Sequence, residues 1–275
     1  MAMSIRTNVS SLNAQRNLSA TQMQLDSSLS KLSSGYRITK AGDDAAGLGI
    51  SVNLESQIRS YNQAVRNAND GTSVVQTAES SLNEQSNMLS RLRELAMQSA
   101  SDGIGDTERG YIQQEVTQQI GEIDRVANAT EFNGQKLLDG SAATLDFQVG
   151  IRNVAANDRI SVSTVDATAA TLGVAALDLS TKANAQAALD TIDTALETVS
   201  TARATLGAAG NRFSTAQASI QASSESLSAA NSRIRDVDVA EETSRMSRAN
   251  VLMQAGVSVL AQANQSPQLA LKLLQ

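Results

Sequence analysis

Seven apolar residues spaced seven apart, Ile192, Val199, Leu206, Phe213, Ile220, Leu227 and Ile234, constrain this chain more than any other feature. Three positions after each come Ala195, Ala202, Ala209, Ala216, Ser223, Ala230 and Val237. A period of seven is a helix seam, and a large residue alternating with a small one lets a second helix approach closely. An earlier segment repeats the pattern with Tyr61, Ala68, Val75, Leu82, Leu89 and Ala96, followed at three by Ala64, Gly71, Ala78, Gln85, Leu92 and Ser99. The two segments predict antiparallel partners. As helices, residues 61–100 would extend ~60 Å and residues 184–237 ~80 Å at 1.5 Å per residue. The expected fold class is therefore mainly α, a long antiparallel helical rod or coiled coil.

Composition removes most catalytic chemistry. The 275 residues include no Cys and no His, which excludes thiolate nucleophiles, Ser-His-Asp relays, zinc fingers and His-ligated metals. No cofactor or metal site is expected, and no enzyme. A net charge of -6 with six Phe, Tyr and Trp in all argues against a nucleic-acid partner, which needs a basic surface and stacking aromatics. No stretch has the 18 or more apolar residues of a membrane span, and the N-terminus lacks the apolar core of a secretory signal.

The remaining segments complete the architecture. Ile112, Val116, Ile120, Ile123 and Ala127 predict a third helix folding back on the rod, after the breakers Gly103 and Gly105 and the capping-type run Asp106-Thr107-Glu108. Leu145, Phe147, Val149 and Ile151, then Ile160 and Val162, alternate with polar residues and predict a β-hairpin at about 140–165, introduced by the tight-turn pair Asn133-Gly134. Residues 164–185 are Ala/Thr-rich, weakly patterned and too few for an outer domain.

Both ends are amphipathic. Ile5, Val9, Leu12, Leu18, Leu25, Leu29 and Leu32 form a stripe ending at Ser33-Ser34-Gly35. Met246, Met253, Leu260 and Leu274 share one seven-residue frame, with Ala249, Gly256, Ala263 and Ala270 three behind. Pro267 occupies that frame between Leu260 and Leu274, which predicts a kink or break in the last helix. These stripes have little nearby in sequence to cover them, so they must pair with each other, pair with another subunit, or stay disordered. An open head-to-tail contact of that kind yields a helical filament. The adjacent carboxylates Asp43 and Asp44 lack a third ligand and are expected to cap or turn a connector.

The segments SLNAQRNLS (11–19), SLSKLSSGYRI (28–38), DDAAGLGIS (43–51), RNANDGTSVVQTAE (66–79), RLRELAMQSA (91–100), TEFNGQKLLDG (130–140) and SRMSRANVLMQAGVSVLAQANQSPQ (244–268) resemble the ordered signature segments of bacterial flagellins. The resemblance covers nearly the whole chain and rests on several long motifs in the right order. It implies a structural subunit that self-assembles into the flagellar filament for swimming motility. Terminal domains 1–45 and 235–275 would pair as an inner coiled-coil layer, with 46–234 as the outer helical domain and no variable outer domain. It further implies export to the cell exterior through the flagellum's own channel without a cleaved signal. Implied partners are copies of the chain, an export chaperone and secretion apparatus, and hook-filament junction and cap proteins. Arg91, Leu95 and Glu115 match family positions on a subunit contact surface that a host Toll-like receptor also recognises. Composition alone would also allow an intracellular coiled-coil tether, and a hook-filament junction protein is the near relative.

Overall fold

Asn8 opens the first helix: its side-chain oxygen accepts from Ser11 N–H at 3.1 Å, filling one donor that a helix start leaves open. The computed structural model describes residues 7–141 and 144–272, so Ile5 and Leu274 lie outside the described residues. In chain order come α1 (Val9–Ser34), α2 (Ala45–Ser99), α3 (Asp106–Ala129), β1 (Glu131–Phe132), β2 (Gln135–Lys136), β3 (Thr144–Gln148), α4 (Ala155–Asp158), β4 (Arg159–Ser163), α5 (Lys182–Arg235) and α6 (Val239–Lys272). The chain divides into two compact units, residues 57–225 and residues 1–56 with 226–275.

In the larger unit the heptad seams of α2 and α5 meet. Asn69 accepts a hydrogen bond from Gln217 and Arg93 pairs with Asp193, which makes the helices antiparallel. Ile192, Val199, Leu206, Phe213 and Ile220 are buried together with Ala68, Val75, Leu82, Leu89 and Ala96. Phe213 is the clearest instance of large against small: a Cβ added at Gly71 would lie 2.5 Å from its ring. The same ring meets Phe147 of β3 in an edge-to-face arrangement, centroids 5.4 Å apart. The hairpin is thereby anchored on the helix seam through one aromatic pair.

α3 buries Ile112, Val116, Ile123 and Ala127, as the pattern predicts. Its start differs from the expected cap. Gly105 occupies the N-cap without a side-chain bond, and Asp106 sits inside the first turn, paired with Arg109. β3 and β4 pair antiparallel with Leu145 opposite Val162 and Phe147 opposite Ile160. A second, two-residue hairpin joins β1 to β2 through Asn133 (φ 49) and Gly134 (φ 79), the left-handed backbone that Asn-Gly favours.

Residues 164–181 form an irregular strap rather than a loose connector. Ala167, Leu172 and Leu177, and likewise Ala169, Val174 and Leu179, are buried at intervals of five. That period matches neither strand nor helix, which is why the segment reads as weakly patterned. A buried strap must satisfy its backbone polar groups, and here helix side chains do so. Gln85 Nε2 donates to Ala167 O (3.0 Å), Asp124 Oδ1 accepts from Ala169 N (2.7 Å), and Ser99 Oγ donates to Leu179 O (2.6 Å). Gln113 brackets the strap, donating to Leu177 O and accepting from Leu179 N.

In the smaller unit α1 and α6 run antiparallel. α1 ends at Gly35 with φ 74, and Gly35 N–H returns to Lys31 O at 2.9 Å. α6 starts on Asp238, whose Oδ1 accepts from Ala240 and Glu241 N–H. α6 continues through Pro267 to Lys272 instead of breaking there.

Gly71→Ala tests the seam. The helix-propensity gain of about 1 kcal/mol is opposed by overpacking against a fully buried Phe213, which costs about 1–3 kcal/mol. Net destabilisation is expected, read as a lower denaturant midpoint at unchanged slope. A midpoint at or above that of the unmodified chain would show that Phe213 has room to move.

Candidate assembly and contact surfaces

Two surfaces gather the residues singled out in the sequence, one in each unit. In the smaller unit the α1 residues facing α6 are Ser11, Ala14, Leu18, Thr21, Leu25, Ser28 and Leu32, a strict seven-residue frame of half-buried or buried positions. The α6 frame is the predicted one, Met246, Met253 and Leu260 with Ala249, Gly256 and Ala263. Leu18 lies over Gly256, where an added Cβ would meet its Cδ1 at 3.2 Å. Leu25 and Leu32 sit in the seam, whereas Val9 and Leu12 do not. They are 59% and 50% exposed, because the α1 frame runs through Ser11 and Ala14 instead. The polar side chain of Ser11 and the small one of Ala14 hide the frame from a search for large apolar residues.

What the pairing leaves outside is large. Val9, Leu12, Met23 and Leu29 of α1 and Val239, Val251, Leu252, Val257 and Val259 of α6 are each at least half exposed. Nine such side chains on two paired helices exceed the scattered apolar residues of an ordinary surface.

The connectors of this unit are stitched by backbone bonds. Arg37 N–H donates to Arg235 O (2.7 Å) and Val237 N–H to Gly35 O (3.0 Å). The Arg235 guanidinium lies 4.1 Å from the Tyr36 ring centre and pairs with Glu55 at 3.0 Å. Asp43 Oδ2 accepts from Thr39 N–H and Oγ1–H and from Lys40 N–H, and these bonds, Thr39's hydroxyl foremost, hold its carboxyl below the usual carboxylate range. Asp44 Oδ1 accepts from Gly47 N–H at 2.8 Å. Both acids cap and turn the connector into α2, as the sequence predicts.

In the larger unit Arg91 and Glu115 meet on the surface. Arg91 Nε and Nη2 donate to Glu115 Oε1 at 3.0 and 2.8 Å, and Nη1 donates to Glu94 Oε2 at 3.0 Å. Its guanidinium pKa is raised, first by the Glu115 bond and then by Glu94. All three side chains are more than two-fifths exposed, and water screens such pairs so that they contribute little to stability. Their value lies in presenting a fixed pattern of charge. Exposed Met97 and Tyr111 lie three residues after Glu94 and four before Glu115, on the same helix faces. The structure does not bring Leu95 to this surface. It is 1% exposed, packed in the core one turn below Arg91.

Arg109 was not singled out in the sequence, yet it fixes the α2–α3 turn. Its Nε donates to Ser99 O, Nη2 to Ser101 O and Nη1 to Asp106, all at 2.9–3.0 Å. Its spacing of three and seven before Ile112 and Val116 places it in the α3 seam, a signal that apolar counting overlooks. Among the described residues no group of three acidic side chains is placed to hold a metal ion, and no helix is long and apolar enough to cross a membrane.

Several surface carboxylates of this unit respond to acid in one direction. Hydrogen bonds from Lys182, Arg93 and Arg125 hold Asp102, Asp193 and Glu122 below their ordinary values, and Thr171 does the same for Asp166. A depressed folded-state pKa contributes stability that is complete above the ordinary Asp and Glu range and is lost as pH falls through the folded value. The melting temperature is expected to fall between pH 7 and about pH 3. A triple Asp102→Asn, Glu122→Gln, Asp193→Asn variant should show a shallower fall, and an equal slope would mean these pairs carry none of it.

Comparison with known proteins identifies the family. Residues 5–143 match the bacterial flagellin N-terminal helical region, and residues 189–274 match the bacterial flagellin C-terminal helical region. The flagellin of Halalkalibacterium halodurans is 44% identical over 273 residues, covering 99% of this chain and all of that protein. The flagellin of Bacillus subtilis is 42% identical over 307 residues with the same coverage. The crystal structure of Bacillus cereus flagellin superposes with a TM-score of 0.51 at 29% identity, over 56% of this chain and 88% of that one. These matches do not favour the tether or the junction protein. The two-ended helical match and the paired terminal helices place the chain in the bacterial flagellin family, as a structural subunit of the flagellar filament.

Proposed function

We propose that the outward apolar face of the α1–α6 pair is what this filament subunit buries against its own copies. The nine exposed side chains left outside the α1–α6 seam carry the reading. Covering a Val, Leu or Met side chain contributes about 1.5–3 kcal/mol, so a contact using several of them outweighs the exposed ion pairs elsewhere on the chain. Under this proposal residues 1–45 and 235–275 form the inner coiled-coil layer and residues 46–234 the outer wall, which is smooth because the strap leaves no room for an added domain. The subunit reaches the cell exterior through the flagellar channel, its C-terminal helix held by an export chaperone beforehand. Junction and cap proteins bound the filament at its two ends.

Seeding purified monomer with short filament fragments in a sulfate salt is the test, because such salts strengthen apolar burial. Long thin filaments in the electron microscope are expected, with protease trimming the ends of the monomer but not of the filament. A Leu12→Asp, Val251→Asp variant is expected not to polymerise while its larger unit melts as before. Polymerisation of that variant, or a protease-resistant soluble dimer of the unmodified chain under every seeding condition, would overturn the reading.

The Arg91–Glu94–Glu115 cluster is the second contact surface in this proposal, shared between neighbouring subunits and a host Toll-like receptor. Leu95 supports it from beneath rather than touching a partner. In a receptor reporter assay with monomer, Arg91→Ala is expected to lose about tenfold or more in potency with unchanged circular dichroism. Leu95→Ala, by contrast, is expected to cost about 2–5 kcal/mol of stability. Equal potency of Arg91→Ala and the unmodified monomer would remove the receptor from this surface.

A further inference from the structure

A proline inside a helix removes one N–H and crowds the carbonyl four residues before it. For Pro267 in α6 that carbonyl belongs to Ala263, and the helix nevertheless continues to Lys272. The orphaned acceptor is not left open. Asn8 Nδ2, from the start of α1, donates to Ala263 O at 2.7 Å. The same Asn8 uses its Oδ1 to cap α1 at Ser11 N–H, and Ser11 Oγ donates to Asn264 Oδ1 at 2.8 Å. Both ends of one amide are thus committed, the oxygen to its own helix and the nitrogen to the other.

We infer that Asn8 sets the axial register of α1 on α6 by closing the carbonyl that Pro267 opens, making it a specificity-determining residue for assembly. The apolar seam cannot do this alone. Its contacts repeat every seven residues, so a slide of one heptad toward the middle of α6 would again place a large residue over a small one, with Leu18 over Ala249 in place of Gly256. Before the last turn of α6, only the carbonyl of Ala263 lacks a helical N–H four residues on, because Pro267 stands there, and a side-chain amide fixed by its own cap reaches that height. The inference rests on assembly of the chain into filaments. The unmodified chain, polymerised side by side, reports on that reading separately.

The experiment measures the critical concentration for seeded polymerisation of the full chain. Asn8→Ser and Asn8→Asp both retain a capping oxygen, but serine is too short to reach Ala263 and aspartate has no donor. Each is expected to raise the critical concentration about tenfold, the effect of one lost hydrogen bond that leaves an acceptor unpaired. Pro267→Ala restores the N–H within α6, so in that background the same Asn8 substitutions are expected to change it less than about twofold. Assembly of Asn8→Ser at the unmodified concentration overturns the inference, and so does an equal factor in both backgrounds. Should Pro267→Ala not polymerise, Asn8→Ser decides: a tenfold loss with unaltered helicity upholds the inference, and unmodified assembly overturns it.

Discussion

Close approach of two helices along an alternating large-and-small seam is the interaction on which everything else in this chain depends. In the larger unit Phe213 lies against Gly71, and in the smaller unit Leu18 lies against Gly256. In both places the missing Cβ lets a bulky side chain settle against the opposing backbone, which brings the helices together and raises contact density. With so few aromatics in the chain, burial comes mainly from many small and medium aliphatic contacts, so the fit along the seam replaces bulk.

The two units answer the burial problem differently. In the larger unit the α2–α5 seam is closed over by α3, by the hairpin through Phe147, and by the strap through side chains of α2 and α3. Its remaining surface features are ion pairs, which are weak in water and suited to reversible recognition. In the smaller unit one seam joins α1 to α6, and nine large apolar side chains of these helices are left at least half exposed among the described residues. A unit that keeps an apolar face open within the monomer is incomplete on its own, as a polymer subunit must be.

Polar residues carry much of the specificity and were the hardest to read. Gln85 stands in an apolar heptad frame and is fully buried, visible in the sequence as an exception to the pattern, though its partners Ile123 O and Ala167 O lie far along the chain. Arg109 occupies a seam position for the same kind of reason, closing the turn that holds Arg91 opposite Glu115. Ser11 belongs to the α1 frame, which moves Val9 and Leu12 outward, a change that a stripe drawn from apolar residues alone cannot anticipate.

The sequence by itself determined the helices, their antiparallel pairing, the presence of a β-hairpin and the absence of His or Cys chemistry, because periodicity and composition are local properties written in residue order. It also carried the motif series by which the family is known. Tertiary structure alone decided the strap with its buried residues every five positions, the burial of Leu95, the outward face of α1 and the bond from Asn8 to the carbonyl freed by Pro267. Each of these depends on a partner tens to hundreds of positions away, and a hydrogen bond or a packed face exists only once folding has brought both members to one place.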